Sequence, residues 1–156
     1  MQDEQATKHR SNRQRGGQRA RFESIRVITP EPGRVSAEVV LEWNRERFTG
    51  KGEGETSVVG SLRASASAAM SALELALGGE GDFSLVGVKE LHVFDHDLVA
   101  VLLLSQRLPE RRLIGISVIG DDRHRAAALA VLNATNRAVG TLSGAFEDQR
   151  VSTDSE

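Results

Sequence analysis

The chain contains no cysteine. That excludes disulfides, thiol nucleophiles and cysteine-ligated zinc or iron–sulfur centres together. It also lacks a long hydrophobic run. The longest, Leu98 to Leu104, falls far short of the roughly 20 apolar residues that span a bilayer. The first residues are charged and hold no apolar stretch, so no secretory signal is expected there. No Gly-x-Ser-x-Gly elbow frames Ser57, Ser61, Ser65 or Ser67, which argues against a serine nucleophile. These gaps predict a cytoplasmic protein that is not an enzyme, with no cofactor, no metal site and no membrane partner.

What remains is the composition of an ordinary folded domain. The 156 residues are 39% hydrophobic and 27% charged, enough to bury a core without staples. The net charge of −2 conceals an asymmetry. Residues 1–21 hold Lys8, Arg10, Arg13, Arg15, Arg19 and Arg21 against Asp3 and Glu4, a net +4. The remainder therefore carries −6, so a basic arm precedes an acidic body. Residues 1–20 have almost nothing apolar with which to offset ordering entropy and are expected to be disordered. Residues 146–156 read the same way, which leaves a single domain over 21–145.

Along that domain the pattern occurs twice. Phe22, Ile25 and Val27 suggest a strand, and Pro30-Glu31-Pro32-Gly33 a turn. Val35, Ala37, Val39, Leu41 and Trp43 alternate with polar residues, the period of a strand with one wet face. Asn44-Arg45 is a tight connection to a third strand from Arg47 into Gly50-Lys51-Gly52-Glu53-Gly54. An alanine-rich helix follows from about Gly60 to Leu77, and Gly78-Gly79 ends it. The second half repeats the order. A strand lies within Phe83–Phe94, and the Leu98–Leu104 run reads as a central strand buried on both faces. A third strand covers Leu113–Ile119, and a helix capped by Asp121 or Asp122 stops near Gly140. The predicted fold is α+β: βββα units at 22–79 and 83–140, forming one mainly antiparallel sheet covered by two helices.

Few residues invite chemistry. Gly50, Gly52 and Gly54 could let a ligand approach the backbone near a helix N-terminus, although the spacing is neither a dinucleotide fingerprint nor a P-loop. A twisted or bulged strand end is the plainer explanation of them. His92, Asp95, His96 and Asp97 lie within six residues, so a metal pair is conceivable, but a polar turn is expected at that place. His124 stands alone on a helix surface. Arg10, Arg13, Arg15, Arg19 and Arg21 could meet phosphates in a nucleic acid, though no aromatic is interleaved for base stacking.

Three stretches carry a family resemblance. They are Phe48 to Gly54, then Val88 to Leu104, and Arg112 to Asp122 followed by a helix ending in Asn133, Asn136 and Arg137. Over most of residues 22–140 the chain resembles the C-terminal regulatory (dimerisation) domain of 2-isopropylmalate synthase, which is built from two βββα units. It departs where Glu55-Thr56-Ser57-Val58-Val59 replaces the family's Gly-x-Gly-Pro turn, and the catalytic barrel is absent from the chain. The resemblance implies a homodimeric, non-catalytic regulatory module that binds a small amino-acid-like or keto-acid ligand. The alternative is a nucleic-acid-associated protein acting through the basic arm.

Overall fold

The computed structural model describes residues 19–79, 81–107 and 112–153, with side chains as far as Val139. The strands are β1 (Arg21–Glu31), β2 (Arg34–Trp43), β3 (Glu46–Glu55), β4 (Phe83–Val93), β5 (His96–Ser105) and β6 (Arg112–Val118). Helix α1 (Val58–Ala76) follows β3, and α2 (Arg123–Thr153) follows β6. The βββα unit is thus present twice, and every ladder is antiparallel.

Local chemistry accounts for the boundaries. Pro32 and Gly33 turn β1 into β2, with Gly33 at φ +84°, as position i+2 of a type II turn requires. Asn44 and Arg45 both have positive φ between β2 and β3, the type I′ geometry that matches strand twist. Ser57 starts α1 by accepting a hydrogen bond from the Gly60 N–H at 2.9 Å. Gly78 and Gly79, both with positive φ, end it, and the Gly79 N–H returns to the Glu74 carbonyl. Asp122 accepts from the His124 N–H at the start of α2.

Three features depart from expectation. First, β1-β2-β3 and β4-β5-β6 are separate sheets, not one. α1 packs on β2 and β3 and also touches β4, α2 packs on β5 and β6 and also touches β1, and the helices pack on each other. The helix pair therefore lies between the sheets. α1 is made for this place: Ala64, Ala68 and Ala72 are buried on one flank, and Leu62, Ser65, Ala66, Ala69 and Leu73 on the next. Two of the four edge strands are interrupted. β1 is irregular near Glu23 and carries Pro30, and β4 shifts register near Val86; bulges and prolines blunt a sheet edge. The β1 bulge also explains why Phe22 and Ile25, three apart, face the same way.

Second, β5 is covered on one face only. Val99, Val101 and Leu103 are fully buried beneath α2, whereas Leu98, Leu102 and Leu104 on the other face are half-buried. Third, α2 does not stop at Gly140 but continues through residues 146–153, read above as tail. One interior glycine costs a helix only about 1 kcal/mol. Among the described residues no helix is long and apolar enough to cross a membrane.

Candidate functional site

Gly50, Gly52 and Gly54 alternate along β3, so all three present the same face, and α1 occupies it. A methyl group at Gly50 would collide with the Ala68 carbonyl oxygen and the Ala72 nitrogen. At Gly52 it would meet the Ala64 carbonyl and the Ala68 nitrogen, and at Gly54 the Gly60 carbonyl. The glycines let strand and helix backbones touch. The space that a ligand would need on that face is filled by the protein itself. Gly115 of β6 meets Ala130 and Ala134 of α2 in the same way.

The other polar candidates are dispersed. His92 Nδ1 and Asp97 Oδ1 are 2.8 Å apart at the mouth of the β4–β5 hairpin, both exposed. Among the described residues no three His, Asp or Glu side chains gather to hold a metal. Serine hydroxyls are turned inward: Ser61 donates to the Val58 carbonyl and Ser65 to that of Ser61. Arg10, Arg13 and Arg15 lie outside the described residues. Arg19 and Arg21 are exposed at the start of β1, with Ala20 buried between them.

The residues that carry the resemblance sit along β6. Asn133 Nδ2 donates to the Ile116 carbonyl at 2.8 Å, which occupies an acceptor of this edge strand. One turn further, the Asn136 Oδ1 is buried with no hydrogen-bond partner. A buried acceptor left unpaired costs about 1–3 kcal/mol. Arg137 is exposed beside it.

Superposing the two units by register exposes a feature that the residue patterns did not single out. Gly50 pairs with Val39 and abuts Ala68 and Ala72; Gly115 pairs with Val101 and abuts Ala130 and Ala134. With those positions matched, the inner faces agree at their centre, where Val39 and Leu41 of β2 correspond to Val101 and Leu103 of β5, all buried, and differ toward the ends, where Trp43 corresponds to Ser105 and Gly52 to Ser117. The outer faces do not agree. Thr49, Lys51 and Glu53 of β3 correspond to Ile114, Ile116 and Val118 of β6. Ser36, Glu38, Val40 and Glu42 of β2 correspond to Leu98, Ala100, Leu102 and Leu104 of β5. The outer face of the first sheet is laced by ion pairs, Arg26–Glu38 at 3.6 Å, Lys51–Glu38 at 3.9 Å and Arg34–Glu53 at 2.6 Å. The outer face of the second is an apolar, solvent-exposed surface. The unbroken Leu98–Leu104 run was its signal, since a strand covered on one side only should alternate.

These features define the class: a duplicated α+β module whose shared inner faces are packed and whose outer faces differ. No protein-family model matches the chain, and no curated protein matches it.

Proposed function

We propose that the chain is a non-catalytic, cytoplasmic regulatory module that dimerises and responds to a small amino-acid-like or keto-acid ligand. The observation that carries this reading is the duplicated βββα fold together with the Asn133–Asn136 pair on α2. It is the architecture implied by the resemblance to the 2-isopropylmalate synthase regulatory domain. The buried, unpartnered Asn136 Oδ1 supports the amino-acid form of the ligand over a keto acid, because an arriving ammonium N–H would remove a standing desolvation cost and a keto acid has no donor to offer. The filled glycine face of β3 argues that such a ligand sits near Asn136 and not at Gly50–Gly54. Calorimetry and thermal shift against leucine, other branched-chain amino acids and their keto acids test this. Saturable stabilisation that Asn136→Leu abolishes is the expected result. No heat and no shift across that panel would remove the ligand from the reading.

A second reading is favoured by one observation. Arg19 and Arg21 are exposed and continue the basic arm onto the folded body. Binding of RNA or DNA through that arm would weaken steeply with salt and vanish on deletion of residues 1–20.

A further inference from the structure

We propose that the outer face of β4-β5-β6 is where a second copy of this chain docks, sheet against sheet, about a two-fold axis running across the strands. The inference rests on the dimer reading above and assigns it a surface.

Apart from the exposed Lys89 at the β4 end of its middle row, the face is apolar. Ile114, Ile116 and Val118 of β6 are 69%, 48% and 57% exposed, and the half-buried Leu91, Leu98 and Leu102 lie beside them in register. Monomeric proteins rarely leave contiguous apolar patches of more than a few hundred Å² in water. Three strands at about 4.8 Å spacing, over the seven paired residues of β6 at about 3.3 Å each, give a footprint of roughly 300 Å². Two such faces supply about 600 Å² before the rim is added, the size of a weak, concentration-dependent contact.

Phe94 lies at the hairpin end of the same sheet. It stands at the tip of the β4–β5 hairpin, 91% exposed and at φ +51°. A bulky residue in the left-handed region costs about 1–2 kcal/mol, and a large exposed aromatic gains nothing in the monomer. Both features make sense in a contact.

The occupant follows from charge and from the edge. Across the sheet, the hairpin end carries Asp95, with Asp121 in the turn into α2, and the opposite end carries Arg112 at its outer row. A two-fold axis across the strands lays the acidic end of one copy over the basic end of the other. The same patch serves both copies. Addition of a strand to the β6 edge is disfavoured, because Asn133 already occupies the Ile116 carbonyl. Stacking of faces, with interdigitating side chains about 10 Å between sheets, uses what is free.

Sedimentation equilibrium of the full chain tests this, using Ile116→Lys and, as control, Thr49→Lys at the place matching Ile114 on the first sheet. The expected result is a dimer for the native chain and for Thr49→Lys. Ile116→Lys should be monomeric, with an unchanged thermal midpoint at low concentration, since the side chain already faces solvent. A native dimer that both variants preserve would overturn the surface assignment and leave the dimer reading standing. A native chain that stays monomeric to millimolar concentration would overturn both. A monomer whose apolar-dye binding disappears in Ile116→Lys would likewise overturn the second copy as occupant.

Discussion

The two outer sheet faces are made of matched positions and differ in chemistry. On the first, Glu38 sits between Arg26 and Lys51 in a cross-strand row. On the second, the corresponding row is Lys89, Ala100 and Ile116. The inner faces of the same strands match at their centre, with branched aliphatics on the central strand and a glycine on the edge strand against a helix alanine. Packing against a helix allows few solutions, because interiors are filled at crystal-like density. Solvent tolerates many. The two units therefore share the centre of the inner face and differ outside, where one sheet is charged and the other apolar.

The largest effects should come from the inner faces and should be alike in both units. Gly50→Val and Gly115→Val each drive a side chain into helix backbone, which no rotamer change relieves. Each should lower stability by about 3 kcal/mol or more, read as the urea midpoint. Gly87→Ala, with nothing within 4 Å, should be near neutral by the same measurement. If Gly115→Val were tolerated while Gly50→Val was not, the equivalence of the two units would fail.

A smaller effect separates the hairpin tips. Asn44 is a residue suited to the left-handed region, and Phe94 is not. Phe94→Asn should raise the thermal stability of the monomer by about 0.5–1 kcal/mol. The same substitution should weaken self-association, so the two measurements should move in opposite directions.

The smallest effect belongs to the charged face. Glu38→Gln removes both of its ion pairs, but exposed pairs contribute only about 0.2–1 kcal/mol. At 3.6 and 3.9 Å both pairs are long and belong at the low end, so together they should contribute about 0.4 kcal/mol at low salt, a loss that should vanish by 1 M salt, where screening acts within about 3 Å. A loss that persists at high salt would mean that this face is held by packing, not by charge.

Much of this was legible in residue order. The alternation from Val35 to Trp43 reports a strand wet on one side because side chains on a strand point to opposite faces in turn. Pro32-Gly33 and Gly78-Gly79 marked a turn and a helix end because their backbone preferences are local. The glycines at 50, 52 and 54 were visible as a site of close approach, but whether a ligand or a helix came close depended on α1, more than 60 Å of extended chain away at its far end. The Leu98–Leu104 run announced a strand but not which of its faces would be covered. Asn133 and Asn136 were distinguished only by resemblance. Their roles, one bonded to Ile116 and one unpartnered, depend on how α2 lies along β6.

By itself, then, the residue order determined the βββα unit, its repetition, the turns and the helix ends. Each of these follows from short-range backbone preference and from the period of apolar residues. Tertiary structure decided that there are two sheets and not one, that helix backbone fills the glycine face, and that one outer face is left apolar and open. Those outcomes depend on which surfaces meet, and surfaces meet between residues far apart in the chain, where no local preference reaches.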